Sequence, residues 1–481
     1  MDVITFIRII CVILSIVGIS FVFPIGTAAI CGEYQVIPSF AIPMAIAIAL
    51  GIFGFFFGKK RQIHVSTRGV FLLVSLAWIT ISLSGSVPLV LSGYIPNITN
   101  AVFESVSGFS TTGATILSEV EHLPRSINLW RCEMHWLGGM GIIALTVALL
   151  PLLGIGGFQL IKAESTGVEK GKITPKMATT AKTLWGLYFG LTVIMAILLR
   201  IFGMDTIDAI SYAFSTLGTG GFATRNNSIA SYNSVPIEII CTIFMFLAGI
   251  NFSLYFYVLT RKTSELKKNT EFKAYVFGFV IAVLCITFSL IPHYGTIKKA
   301  FRYASFQVGA IMTTTGFATD DYLMWPPVSQ FLLFLLFFVG GSAGSTAGGF
   351  KVVRWVVLAK QARNEILRML HPHGIFTVRL NEKPGRKDLV FNVAAFTFVY
   401  FAFTFVTTFM GALHGLDVFT ALTASLSMIG NIGPAFGSLG PADNYGWLPA
   451  TLKWWYCFAM IAGRLELYNL IIFFMPDYWK K

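Results

Sequence analysis

The chain has 481 residues, 55% hydrophobic and only 12% charged, against roughly 45–50% and 25% in soluble globular proteins. That deficit of charge excludes a soluble fold, the 45 Phe argue against disorder, and six Cys without close pairing exclude a disulfide scaffold. The 35 Lys+Arg against 22 Asp+Glu leave a net charge of +13, which in a membrane protein reads as loop bias rather than as a nucleic-acid surface.

Ten segments supply the ~20 mostly apolar residues that a spanning helix requires. They lie near residues 4–30, 38–58, 69–92, 129–153, 182–203, 236–260, 273–292, 328–350, 389–412 and 450–475. The first could also be a signal peptide ending near Thr27-Ala28-Ala29. Its apolar run is longer than the usual ~7–15 residues, so it is taken as a helix. Every second loop is basic: Lys59, Lys60, Arg61 and Arg68, then Lys162, Lys170, Lys172, Lys176 and Lys182, then Arg261, Lys262, Lys267, Lys268 and Lys273, and last Lys360, Arg363, Arg368, Arg379, Lys383, Arg386 and Lys387. These loops and both termini are expected in the cytoplasm, where anionic lipids would also attract them.

The intervening loops carry Glu119, Glu121, Asp205, Asp208, Asp320, Asp321, Asp417 and Asp443. Each holds an apolar stretch too short to cross, a candidate re-entrant helix, followed by Gly and Thr. Aligned on Gly113, Gly221, Gly316 and Gly433, all four have Ala twelve positions earlier (Ala101, Ala209, Ala304, Ala421) and a small residue six earlier (Ser107, Ser215, Ala310, Ser427). The repeat is span, short helix, Gly loop, span, in units of roughly 100 residues. Ordinary Gly/Thr turns are the plain reading of any one loop. Four in register suggest carbonyls turned toward one axis, where they can replace a cation's hydration shell. Asp205 and Asp417 read as N-caps of two short helices, whose C-termini would then aim negative charge inward.

With these loops, the N-terminal hairpin, Trp136-Leu137-Gly138-Gly139-Met140-Gly141, Ala181-Lys182-Thr183-Leu184-Trp185, the stretch from Gly341 to Gly349 and Gly463-Arg464-Leu465-Glu466, the whole chain resembles the TrkH-like potassium uptake proteins of the Trk/Ktr/HKT superfamily. The resemblance implies an all-α membrane protein: four span–pore helix–span repeats around a pseudo-fourfold pore, plus an N-terminal two-helix hairpin. The expected units are 1–60 (hairpin), 61–160, 161–265, 266–380 with a gating loop, and 381–481. It further implies a potassium-selective, channel-like uptake protein, homodimeric, multi-pass in a bacterial inner membrane. Potassium would be the transported ion, with no organic cofactor in this chain. A cytosolic TrkA-like nucleotide-binding ring would be a partner, docking on the basic loops around 162–182 and 354–387. The potassium-binding filter would comprise Thr111, Thr112 and Gly113; Thr219, Gly220 and Gly221; Thr314, Thr315 and Gly316; and Asn431, Ile432 and Gly433. Glycine at all four filter positions goes in the family with potassium preference. The fourth loop, with Asn431, Ile432 and Pro434, departs most from the others.

Gly340, Gly341, Gly344, Ser345, Thr346, Gly348, Gly349 and Lys351 suit either a small-residue packing face or an interrupted helix; the resemblance implies an intramembrane gating loop. Arg464, inside the last expected span, needs protein or water around it. It would pair with Glu133 or Glu466, or, by resemblance, form a positive barrier below the filter. Glu104 and Gln307 occupy matching places in their short helices and are expected to buttress the filter. A nucleotide fingerprint at Gly139-x-Gly141 sits in a spanning helix and is rejected; His371 and His373 lack the partners of a metal site. Coupling of potassium to protons or sodium remains the alternative mechanism, with Glu133 and Glu466 as candidate relays. No nucleophile–base pattern points to an enzyme.

Overall fold

The computed structural model describes residues 3–56, 67–141, 177–261, 263–381, 383–384 and 388–480. The basic clusters at 59–61 and 162–176, together with Lys262, Arg386, Lys387 and the second half of the fourth expected span, lie outside those residues.

Helices α1 (Val3–Ser20) and α2 (Val22–Cys31) together form one hydrophobic span over Ile4–Cys31. The one-residue break at Phe21 falls just before Pro24, which has no N–H to return to Ser20. Helix α3 (Ile37–Phe56) folds back on α1, and both lean on α4 (Thr67–Leu91). Trp130 fastens this hairpin to the rest. Its ring meets Phe21 edge-on at 4.7 Å and Phe40 at 6.3 Å, and its indole N–H donates to Gly85 O at 3.0 Å.

Four similar units follow. The first is α4, the short α5 (Ile98–Phe109) and α6 (Arg125–Met140). The second is α7 (Met177–Ile201), the short α8 (Thr206–Gly218) and the bent pair α9 (Val235–Ala248) and α10 (Phe252–Leu259). Helix α11 (Thr263–Lys268) leads into the third: α12 (Thr270–Tyr294), the short α13 (Ile297–Met312), α14 (Pro327–Leu336) and α15 (Val352–Leu370). Two-residue strands β1 (Arg379–Leu380) and β2 (Lys383–Pro384) pair antiparallel before the fourth unit. That unit is α16 (Asp388–Leu413), the short α17 (Val418–Gly430), α18 (Ala450–Arg464) and α19 (Tyr468–Ile471), with α20 (Pro476–Trp479) closing the described chain.

Each short helix packs against its own unit and also against the helix that follows the short helix of the preceding unit. Thus α8 lies on α6, α13 on α9, and α5 on α18; Phe419 of α17 meets Phe334 of α14 at 5.6 Å. The packing therefore closes on itself as a four-membered ring, the architecture expected from the repeat. Phe288, Phe391 and Phe398 stay exposed on the outer faces of long helices, where apolar side chains meet lipid rather than water.

The structure corrects the spans in one respect. The first, second, third, fifth, seventh and ninth form long helices, but the sixth and tenth are helix pairs bent by 96° and 114°. The eighth stops at Leu336 and becomes a non-helical loop before α15, and α6 in the fourth is capped at Gly141, where the described part of that span ends. Apolar composition can identify segments at membrane depth, but it cannot show where Gly, Asn and buried partners release the backbone from helix.

Candidate functional site

The four short helices end in backbone of one shape. The residue two before each aligned glycine is left-handed: Thr111, Thr219 and Thr314 all have φ of 56°, and Asn431 has 54°. The glycines also have positive φ, at 79°, 87°, 78° and 101°. For a β-branched Thr the left-handed region is a genuine outlier, costing about 1–3 kcal/mol at each residue. Its threefold recurrence marks it as a built feature. Between them, the N–H of Thr112, Gly220, Thr315 and Ile432 donates to Ser107, Ser215, Ala310 and Ser427 O at 2.9, 2.9, 2.8 and 2.9 Å. These acceptors are the small residues six positions before the glycine, so the sequence spacing records this turn.

The strands meet in sequence around a ring. A Cβ added to Gly113 would come within 3.0 Å of Gly220 O, on Gly221 of Thr315 O, on Gly316 of Ile432 O, and on Gly433 of Thr112 O. Each glycine thus packs its bare Cα against the carbonyl preceding the next glycine, and the fourth returns to the first. Only glycine satisfies both that approach and its positive φ. Left-handed residues alternating with ordinary ones let successive carbonyls face one side, a geometry suited to an uncharged cation cage. Asp205 caps α8 by accepting from Ile207 N at 3.3 Å, and Asp417 caps α17 by accepting from Phe419 and Thr420 N at 3.1 and 3.0 Å. Hydrogen bonds from Thr420 hold the Asp417 carboxyl below its ordinary range.

Buried polar side chains support the ring from behind. Glu104 accepts from Ile116 N at 3.0 Å and Thr115 Oγ1 at 2.9 Å, and pairs with Arg131 at 2.7 Å. Arg131 also donates to Ala223 O at 3.2 Å and covers the Phe222 ring at 4.3 Å, so one ion pair joins the first and second strands. Gln307 Nε2 lies 3.5 Å from Phe317 O. Asn431, in the divergent fourth loop, donates to Thr112 Oγ1 and Met460 O, both at 3.0 Å.

The 337–351 segment lies beneath the third and fourth strands. Gly348 N donates to Thr314 Oγ1 at 2.7 Å, and a Cβ on Gly348 would meet Gly430 O at 2.5 Å. Gly344 and Gly349 take positive φ, 76° and 71°. Ser342 N donates to Gly249 O at 2.9 Å, and Gly344 O accepts from Phe252 N at 3.0 Å, so the loop fills the break between α9 and α10. Ser345 Oγ closes a turn onto Ser342 O at 2.6 Å, Thr346 Oγ1 reaches Ala248 O at 3.2 Å, and Gly340 N pairs with Phe350 O at 2.9 Å. Of the two sequence alternatives, these residues form an interrupted helix and not a continuous packing face. Glu271, which the sequence reading passed over, accepts from Ala343 N at 2.7 Å and Val353 N at 3.2 Å. The only signal for it was an acid in the first turn of α12, which reads as a helix-end charge.

Arg464 donates to Thr346 O at 2.8 Å, Gly138 O at 2.6 Å and Gly139 O at 3.1 Å. It thereby ties the loop to the ends of α18 and α6. Glu466 pairs with Arg354, whose guanidinium stacks 3.7 Å from the Phe396 ring. Glu133 is fully buried with no hydrogen-bond partner among the described residues. Lys351 and Arg354 are both buried, and Lys351 Nζ donates back to Ala347 O.

The chain is similar to known proteins over most or all of its length. Residues 36–481 match the TrkH family model, described as a cation transport protein. The chain is 36% identical to the Trk system potassium uptake protein TrkH of Escherichia coli strain K12, over 98% of this chain and 99% of that protein. It is also 36% identical to the TrkH of Halomonas elongata over 92% of each. The crystal structure of the potassium transporter TrkH from Vibrio parahaemolyticus superposes with a TM-score of 0.87 at 32% identity, covering 100% of both chains.

Proposed function

The chain belongs to the TrkH family of cation transport proteins, and from that premise we propose that it takes up potassium through a channel-like path between its four units. The observation that carries this reading is the closed ring in which Gly113, Gly221, Gly316 and Gly433 each abut a carbonyl of the next strand. Backbone oxygens of Thr111, Thr112, Thr219, Gly220, Thr314, Thr315, Asn431 and Ile432, with those of the four glycines, form the selectivity filter. They replace the water around a partly dehydrated potassium ion without requiring a fixed negative charge. The 340–350 loop with Lys351 is the gate, held by Thr314, Glu271 and Arg464. Arg464 adds a positive barrier in the same place. The units of roughly 100 residues are its functional repeats, both termini face the cytoplasm of a bacterial inner membrane, and the working form is a homodimer with a cytosolic nucleotide-binding ring and anionic lipid as partners. Nothing in this reading involves catalysis.

The test is a bi-ionic reversal potential of the purified full-length protein in liposomes, with potassium on one side and sodium on the other. Gly113→Ser and Gly221→Ser should each lower the potassium-to-sodium permeability ratio by about tenfold or more, because a side chain must displace the neighbouring carbonyl. Parent-like ratios in both variants would refute the filter assignment. Coupling to protons is a second reading, favoured by the buried Glu133, which has no hydrogen-bond partner among the described residues. Stoichiometric proton entry with potassium, reported by a pH dye in the same liposomes and lost in Glu133→Gln, would establish it in place of the channel-like path.

A further inference from the structure

The four strands differ at the position just before the glycine. Three carry a β-branched side chain there, Thr112, Thr315 and Ile432, and all three are fully buried behind the strand. Thr112 Oγ1 shares a hydrogen bond with Ser110 Oγ at 2.7 Å, and Thr315 Oγ1 does the same with Thr313 Oγ1 at 2.7 Å. The second strand has Gly220, with nothing of its own to fix the peptide whose carbonyl faces Gly113. Gly220 is not among the positive-φ residues, so its dihedrals do not require glycine. What requires it is space: the place of its missing Cβ is taken by the imidazole of His135, with the ring atoms Cγ, Nδ1 and Cδ2 the nearest neighbours.

His135 comes from α6, in the preceding unit, and is fully buried. Its Nδ1 lies 2.9 Å from Ser215 Oγ and 3.4 Å from Phe222 N, and its ring stacks on Phe222 at 4.2 Å. Phe222 N–H can only donate, so the network assigns Nδ1 as the acceptor and puts the ring proton on Nε2. Nε2 has no hydrogen-bond partner among the described residues. Ser215 in turn accepts the Gly220 N–H through its own carbonyl at 2.9 Å. One neutral ring thus touches Ser215, Gly220 and Phe222 together.

We propose that His135 is a positioning residue for ion selectivity, supplying from the neighbouring unit the side chain that the second strand lacks. The proposal rests on the filter reading above and deepens it. Glycine alone at position 220 would leave that peptide the freest of the four. The ring removes that freedom and holds the Gly220 carbonyl in register with those of Thr112, Thr315 and Ile432.

The test exchanges the two sources of bulk. In full-length protein reconstituted in liposomes, Gly220→Thr alone collides with the ring and lowers the potassium-to-sodium permeability ratio by about tenfold; His135→Ala alone frees the strand and lowers it comparably. The double variant Gly220→Thr/His135→Ala restores the pattern of the other strands and recovers the ratio to within about threefold of the parent, a non-additivity that packing loss alone would not produce. His135→Asn, whose amide oxygen can stand near Nδ1, keeps more selectivity than His135→Ala and serves where the Ala variant fails to fold. A double variant no better than the worse single one, or a His135→Asn ratio no higher than that of a folded Ala variant, overturns the proposal. If Gly113→Ser and Gly221→Ser change selectivity while the position 135 variants do not, this proposal fails and the filter reading stands. If all of them leave it unchanged, the filter reading itself has failed.

Discussion

Replacing Arg464 with Ala removes, among the described residues, three charge-assisted hydrogen bonds, of which one reaches the 340–350 loop proposed as the gate. The bonds to Gly138 and Gly139 O join the ends of α18 and α6, whereas the 2.8 Å bond to Thr346 O holds the loop. A hydrogen bond from a charged group contributes about 1.5–3 kcal/mol. At about 1.4 kcal/mol per factor of ten, losing the Thr346 bond alone shifts the loop toward its displaced position by about 10- to 150-fold. Loss of the positive charge acts in the same direction by lowering the barrier to a cation. Arg464→Lys separates the two effects, because ammonium keeps the charge but not the planar fork that serves several carbonyls. Potassium flux into liposomes and open probability in planar bilayers should both rise strongly for Arg464→Ala. They should rise partway for Arg464→Lys if the latch contributes, and stay parent-like for Arg464→Lys if only the charge matters. Flux and open probability for Arg464→Ala within about twofold of the parent would refute the latch and the barrier together.

Two further outcomes follow from the supports of the ring. Glu104→Leu strands the buried Arg131 without its anion, which should cost about 3–5 kcal/mol and lower the unfolding midpoint in detergent. Glu104→Leu/Arg131→Met should recover much of that, and an unchanged midpoint in the single variant would contradict the buried-pair argument. Asp417→Ala should weaken the start of α17 by about 1 kcal/mol, while Asp417→Asn should be tolerated. Because hydrogen bonds from Thr420 depress the folded-state value of Asp417, its contribution is complete above the ordinary carboxylate pKa and disappears only as pH falls through the lowered one. Parent and Asp417→Asn should therefore share one transport profile between about pH 5 and 8, and a slope removed by the Asn variant would refute this.

Much of the molecule was legible in the sequence because its determinants are local or periodic. Apolar length marked the segments at membrane depth, and Asp205 and Asp417 announced their helix starts through short-range capping. The four-times-repeated spacing of glycine, small residue and alanine recorded a turn whose hydrogen bond spans only five residues, from Thr112 N to Ser107 O in the first unit. Glycine at the ring positions was equally readable, since positive φ and close approach both exclude a side chain. Tertiary structure alone decided which helices and loops meet, within units and between them. Glu104 with Arg131, Glu271 with the 340–350 loop, Arg354 with Glu466, and His135 with Gly220 bring together residues from different helices or different repeats. Such partners have no fixed spacing, because a buried charge or a missing Cβ can be satisfied from any element that packs against it. The sequence determined that there would be four glycine strands at membrane depth; only packing decided which side chains hold each strand in place.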